Sequence, residues 1–367
     1  MWLRLAMAVA TSVGCVLVGT PAALAAAKGG WRSETTTASL WAVSCSMPKA
    51  CVAVGSAGLG EGVPTEVWNG DEWQTATAPS PSGYELSGVD CVSSDDCLAV
   101  GGAAVGGNAV VEGWNGRSWA VQPSPKLRTP LDSVSCSSAV NCLAVVGDVV
   151  ELLAGKRWSV VPLPAAVRAH SGFDAVSCRS ARFCLIGGGS LNGGPAAVIW
   201  NGTTWRATPA VQVPTTHEPI SGAFFSAVAC TSSSWCMAVG FGDYLPPHAS
   251  SGDQAPVADV WNGSTWSNVS PPMPPRSDAT QLTSLWCESR IRCYAAGFAG
   301  RGDTSQALIE RWAGRRWTRF PSAGSDQART DLHGISCIAH TRWCAAVGVA
   351  STGGAGGGFV ETTSNLP

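Results

Sequence analysis

Lysine is nearly absent from this 367-residue chain: Lys28, Lys49, Lys126 and Lys156 are the only four. With 23 basic against 25 acidic residues the formal net charge is −2. That leaves no basic footprint for a nucleic acid. Histidine is scarce as well, with five residues and none at H-E-x-x-H spacing. There is no glycine-rich phosphate loop and no Gly-x-Ser-x-Gly nucleophile elbow, so the usual motifs of nucleotide and ester chemistry are missing. Past the N-terminal stretch, no apolar run is long enough to span a bilayer.

What is abundant is glycine (43), proline (23), tryptophan (17) and cysteine (15). Low charge with many Val, Trp, Gly and Ser residues suits short strands joined by tight turns. The N-terminus reads as a signal peptide. Arg4 supplies the positive start, Leu5 to Val18 are mostly apolar, and Ala25-Ala26-Ala27 offers a small-residue cleavage site. An uncleaved membrane anchor and a lipid-modified Cys15 are the alternatives. Ser12 departs from the leucine usual in a lipoprotein leader, and apolar sequence continues past Cys15. The expectation is a leader over residues 1–27 and one domain over 28–367. The alanine-rich leader points to a secreted bacterial protein of the Gram-positive type.

The 14 cysteines beyond Cys15 fall into seven close pairs. They are Cys45 with Cys51, Cys91 with Cys97, Cys136 with Cys142, Cys178 with Cys184, Cys230 with Cys236, Cys287 with Cys293, and Cys337 with Cys344. Six are spaced i,i+6 and the last i,i+7. An even count at a fixed local spacing in an exported chain reads as disulfides. No pair has the tighter spacing or matching histidine of a zinc site, and no Asp-x-Asp-type loop argues for calcium. No metal or cofactor is expected.

The rest of the unit repeats too. Trp-Asn-Gly-x-x-Trp occurs at Trp68–Trp73, Trp114–Trp119, Trp200–Trp205 and Trp261–Trp266. Degenerate forms occur at Trp312–Trp317 and Leu153–Trp158. Each unit of about fifty residues therefore reads as four strands. Strand A is Leu-x-x-Val-Ser-Cys, strand B begins at the second cysteine, strand C precedes Trp-Asn, and strand D begins near the second tryptophan. Asn-Gly is expected to supply the positive φ angles of a tight hairpin. Four-stranded units at this period are the blades of an all-β propeller.

The chain ends fix the count at seven blades. The last unit stops at Pro367 without a Gly-x-x-Trp strand, and the missing piece, Gly29-Gly30-Trp31, stands at the other end. The segment Gly30 to Thr36 would complete the last blade and close the ring, removing unpaired edges. The repeated tryptophans are expected between the blades.

In such a ring the A–B and C–D turns share one face, and the D–A and B–C loops share the other. Long loops on a rigid scaffold are the usual place for binding. The candidate ligand residues are therefore Tyr84, Arg128, His170 and His217 on D–A loops, with Arg276, Asp278, Arg329, Asp331 and His333 on later ones. Asp243, Tyr244, His248 and Asp253 lie on the B–C loop of unit five, and Arg301 and Asp303 on that of unit six. Arg301-Gly302-Asp303 and the formal glycosylation acceptors at Asn201 and Asn262 are explained by loop and turn chemistry.

The repeat, with Val-Ser-Cys, Cys-x-Ala-Val-Gly and Trp-Asn-Gly-x-x-Trp at its core, resembles the short propeller repeats of secreted actinobacterial proteins. These are grouped with kelch/galactose-oxidase-like and sialidase (Asp-box) propellers. The resemblance covers Trp31 to Glu361 and implies the fold, without the catalytic residues of those groups. Thr204-Trp205 and Thr265-Trp266 match the tail of an Asp-box, but Trp200 and Trp261 occupy its aspartate position. Tyr84, Tyr244 and Tyr294 are the only tyrosines, and the residue set of a sialidase site does not assemble around them.

Two functions follow. The first is a secreted, monomeric, non-catalytic propeller that binds a glycan, a cell-wall component or a protein through its long-loop face. The second is a glycoside-active hydrolase or lyase, whose two carboxylates must stand about 5–9.5 Å apart. Its acids would come from Asp243, Asp253, Asp278, Asp303 and Asp331.

Overall fold

A computed structural model describes residues 30–56, 62–104, 107–168, 172–190, 193–211, 222–244, 253–322, 329–352 and 355–364. The leader and its cleavage site lie outside these residues. Apart from one turn of helix, Ala165–Arg168, the regular structure is strand. The inner strands are Ser39–Met47, Tyr84–Ser93, Ser133–Ser138, Gly172–Ser180, Gly222–Ser232, Ala279–Ser289 and Arg329–Cys337. Each begins a four-stranded antiparallel blade. Neighbouring inner strands contact one another in chain order, and the seventh contacts the first. The protein is a seven-bladed β-propeller.

The ring closes as its sequence requires. Trp31–Thr36 pairs antiparallel with Ala355–Thr363, with Trp31 opposite Thr363. Trp31 thus takes the place of the second tryptophan in blade 7, where it is fully buried. The first and last described strands thus share one blade, with Trp31–Thr36 as its outer strand.

Among the described residues the apolar core is divided into seven clusters, and each draws on two consecutive blades. The tryptophans of the repeat form cross-strand pairs with ring centroids 4.8–5.6 Å apart. The second of a pair also reaches backwards. Trp119 Nε1 donates to Thr65 Oγ1 at 2.9 Å, Trp266 Nε1 to Thr208 Oγ1 at 3.0 Å and Trp317 Nε1 to the Val269 carbonyl at 2.6 Å. Each bond ties a blade to the one before it.

All seven cysteine pairs are disulfides, in the pairing expected from their spacing. Cys45 bonds to Cys51, Cys91 to Cys97, Cys136 to Cys142 and Cys178 to Cys184. Cys230 bonds to Cys236, Cys287 to Cys293 and Cys337 to Cys344. In every blade the partners are directly opposed on strands A and B, with Cα atoms 3.9–4.1 Å apart. The second cysteine of each pair, Cys51, Cys97, Cys142, Cys184, Cys236, Cys293 or Cys344, is almost fully buried. Each bond joins the two inner strands of its own blade. Closing so short a loop is worth about 2 kcal/mol per bond on the chain-entropy argument. Such bonds persist in an oxidising environment. No helix among the described residues is long and apolar enough to cross a membrane.

The Asn-Gly turns differ from expectation. Only the glycine takes a positive φ, as at Gly70 (108°), Gly116 (87°) and Gly202 (97°). The asparagine instead uses its side chain: Asn115 Oδ1 accepts the amides of Arg117 and Ser118, both at 2.9 Å. The loop has four residues between the paired tryptophans, too long for the two-residue turn in which both positions need positive φ.

A second glycine controls the inner strands. The glycine closing Cys-x-Ala-Val-Gly stands opposite the leucine (or phenylalanine) that opens the strand A motif. A β-carbon on Gly55, Gly101, Gly188, Gly240, Gly297 or Gly348 would lie 1.8–2.0 Å from a backbone carbonyl oxygen of strand A. That close approach accompanies a β-bulge at the next residue of strand A in the same six blades. Blade 3 has Val146 at the glycine position, and no such shift occurs within its inner strand.

Six blades carry a buried carboxyl at one position of the third strand: Glu66, Glu112, Glu151, Asp259, Glu310 and Glu361, with blade 4 having Val198. Ser80, from the linker before blade 2, donates to Glu112, and Ser322, before blade 7, to Glu361. Burial raises Glu66, Glu112 and Glu310, and pushes Glu151 and Asp259 up to about 7.

Two outcomes are expected. Gly101→Ala should destabilise the protein by about 3 kcal/mol, because the new methyl meets backbone that cannot yield; denaturant melts measure this, and a loss under about 1 kcal/mol would contradict it. Carboxyls whose folded pKa is raised favour the folded state below their unfolded pKa, and this contribution fades as pH rises through the folded value. Melting temperature should therefore climb by on the order of 5 °C from pH 7.5 to pH 5, with calorimetry as the check.

Candidate functional site

The seven inner strands enclose a central cavity of about 560 Å³. One ring of its lining comes from a single motif position, four residues before the first cysteine of each pair. That ring is Trp41, Ser87, Asp132, Asp174, Ser226, Thr283 and His333. Six of these are the bulged residues opposite the glycines. The extra residue is left out of the ladder and re-aimed, here into the channel. The leucine or phenylalanine just before it is buried in the inter-blade core.

Beneath this ring the serine of Val-Ser-Cys fastens blade to blade. The Cys91 amide donates to Ser44 Oγ, Cys178 to Ser135 and Cys230 to Ser177, all at 3.0 Å; Cys45 donates to Ser336 at 3.0 Å. In blade 2 the serine is replaced by Asp90, whose Oδ2 accepts the Cys136 amide at 2.7 Å. Asp90 also receives Ser44 at 3.5 Å. Burial holds Asp90 above its ordinary range, and these bonds pull the other way. Blade 6 shifts the device by two residues, with Ser284 accepting the Ile335 amide at 3.0 Å.

The ring itself is asymmetric. Asp132 and Asp174, on blades 3 and 4, are hydrogen-bonded to each other. Burial first, and then the neighbouring charges of Asp174 and Glu85, push Asp132 up to about 7. Burial raises Asp174 too, against the Gly147 amide and the bond from Asp132. Burial and the contact between the two carboxyls both favour holding a proton between them. At the junction of blades 7 and 1, Trp41 and His333 meet edge to face with centroids 4.8 Å apart. Burial lowers His333, favouring the uncharged imidazole, with the Asp331 charge opposing.

Among the described candidate ligand residues read from the sequence, His333 alone lines this cavity, and it does so from a strand. Arg329, Asp331 and His333 belong to the inner strand Arg329–Cys337, not to a loop. Arg329 Nε lies 3.3 Å from Asp331 Oδ2, and Asp331 is buried. Asp243, Tyr244 and Asp253 are also strand residues, because the hairpin of blade 5 continues through Asp243–Gln254 and Tyr244–Asp253 pairs. Gln254 donates to Asp243 at 3.0 Å. Tyr84 opens the inner strand of blade 2 and packs on the core between blades 1 and 2.

Asp278 Oδ2 accepts the Gly302 amide at 3.3 Å. Arg301 and Asp303 flank Gly302 in an exposed hairpin, and Arg128 and Arg276 are exposed as well. His170, His217 and His248 lie outside the described residues. The cavity lining runs from the bulge ring to the first cysteine in six blades and to Ser336 in blade 7, toward the disulfide end rather than the long-loop end. The ring escapes a reading of the sequence because Leu-x-x-Val-Ser-Cys hides it in an x. The signal is there: Trp, Ser, Asp, Asp, Ser, Thr and His succeed one another at a position flanked by a buried apolar residue. Chemically, the aspartate pair can hold or release one proton near neutrality. Its carboxyls are in hydrogen-bond contact, closer than the roughly 5–9.5 Å a glycosidase pair needs.

Asp132→Asn should remove one carboxyl titration near pH 7 and raise stability at pH 8 relative to wild type, with little change at pH 5. Infrared titration of the protonated carboxyl band, together with melts at both pH values, reads this out. An unchanged titration would show that the pair shares no proton.

No protein-family model matches the sequence, and no curated protein matches it. Among solved structures, the chain is similar to YCF48 bound to a D1 peptide, with a TM-score of 0.57 and 14% identity over 95% of this chain and all of that one. At that identity the likeness is one of fold: both are β-propellers.

Proposed function

We propose that this chain is an exported, non-catalytic binding scaffold that engages a polypeptide segment at its central channel. The carrying observation is the bulge ring. Glycine and serine recur around the channel to hold the frame, while the residue aimed into it differs in character from blade to blade. A symmetric frame with an asymmetric lining suits a partner of mixed side chains. The ring offers an aromatic edge at Trp41 and His333, an acidic pair at Asp132 and Asp174, and hydroxyls at Ser87, Ser226 and Thr283. A polypeptide is favoured over a glycan because Trp41 is already met by His333 and the acids by each other. YCF48, which shares the fold, was solved holding a peptide. Export rests on the leader at 1–27 and the seven disulfides.

Screening the mature protein against a peptide-display library and a glycan array in parallel tests this. Peptide ligands are expected, with affinity at least tenfold weaker in Trp41→Ala and in Asp174→Asn. Glycan ligands alone, or peptide binding indifferent to both substitutions, would overturn the reading.

A further inference from the structure

Blade 6 departs from the repeat at positions the scaffold does not need. The residue before the third-strand tryptophan is Val67, Gly113, Leu152, Ile199 and Val260 in blades 1 to 5, and Thr362 stands at the corresponding place in blade 7. In blade 6 it is Arg311. The residue before the second cysteine of this blade is Arg292, and the residue after the first is Glu288. Blade 7 supplies the other departure. Its cysteines are spaced i,i+7, and the longer turn holds His340 at a φ of 61°, in the left-handed region. Strained backbone of this kind persists only where its surroundings hold it.

The two departures meet. The His340 amide donates to Glu288 Oε1 at 2.7 Å, and its Nδ1 lies 3.0 Å from the same oxygen. Arg292 bridges the blades, giving Nη1 to Glu288 Oε2 at 2.9 Å and Nη2 to the Thr341 carbonyl at 2.8 Å. Glu288, Arg292, Arg311, His340, Thr341 and Arg342 then line one groove of about 520 Å³. Glu288 is spent on the turn and on Arg292. The side chains of Arg311 and Arg342 make no hydrogen bond or ion pair among the described residues, and the buried Nε of Arg311 finds no acceptor there. Three guanidinium groups against one carboxylate leave an excess of two positive charges, in a chain whose net charge is −2.

We propose that this groove is a binding site for a tetrahedral oxyanion, phosphate or sulfate, held by Arg311 from blade 6 and Arg342 from blade 7. Two planar forks approaching from different blades present more donors than a flat carboxylate can accept, and a dianion matches the local excess of charge. Arg292 and Glu288 are positioning residues that fix the turn carrying Arg342. The site is separate from the channel and does not depend on the polypeptide reading.

Isothermal titration of the full mature protein with sodium phosphate, against sodium chloride at matched ionic strength, decides the matter. Saturable binding of one phosphate per chain is expected. Arg311→Gln with Arg342→Gln together should weaken it at least tenfold, and Arg311→Lys should fall between. Arg117→Gln, in the corresponding groove between blades 1 and 2, should leave it unchanged. Arg342→Gln alone, on an exposed turn residue, keeps the test open should the double variant melt early in chloride; it should weaken binding severalfold. No saturable binding, binding untouched by the arginine substitutions, or acetate binding as tightly as phosphate would overturn the proposal.

Discussion

A glycine with no room for a β-carbon sets the geometry of six blades. Its Cα lies against a carbonyl oxygen of the inner strand, at a distance that any side chain would forbid. The close approach lets the inner strand take up one extra residue as a bulge. The residue before the bulge then faces the inter-blade core and the bulged residue faces the channel. Strand register, core packing and channel chemistry all follow from that alternation. Blade 3, with Val146 in place of the glycine, starts its inner strand at Ser133, and Asp132 just before it also lines the channel.

Because the core is divided into seven wedges, no blade buries its own apolar face alone. Stability depends on closing the circle, which Trp31–Thr36 does by joining the C-terminal blade. The disulfides act within blades and hold the inner hairpins in register. The serine bonds and the backward-reaching tryptophans act between blades. The two sets divide the work: covalent bonds fix each unit, and hydrogen bonds with apolar packing fix the order of units around the ring.

Buried polarity has two forms here. Serine hydroxyls and Asp90 accept backbone amides that inner strands would otherwise leave unsatisfied, since strands at a propeller centre fan apart instead of pairing. Among the third-strand carboxyls burial raises Glu66, Glu112, Glu151, Asp259 and Glu310, opposed at Glu112 by Ser80 and at Glu310 by Arg319. Against this uniform background the asymmetric channel ring and the arginine groove stand out as residues that folding alone does not explain.

Much of the architecture is legible in the sequence because it repeats. Cysteine pairs, Trp-Asn-Gly-x-x-Trp and the displaced Gly-Gly-Trp at the N-terminus are local patterns whose geometry is dictated within a few residues. They determine blade number, disulfide pairing and ring closure. The channel ring is not legible, because a bulge is a relation between two strands: Asp132 and Asp174 are 42 residues apart and become neighbours only when blades 3 and 4 pack. The same holds for Arg311 and Arg342. Asp243, Asp253, Asp331 and His333 look like loop residues when strand length is taken from the average repeat, whereas blades 5 and 7 extend their hairpins beyond it. The sequence by itself determined the units and their number. Tertiary structure decided which residues face the axis, since only the close approach of a glycine to a neighbouring strand turns one residue of that strand inward.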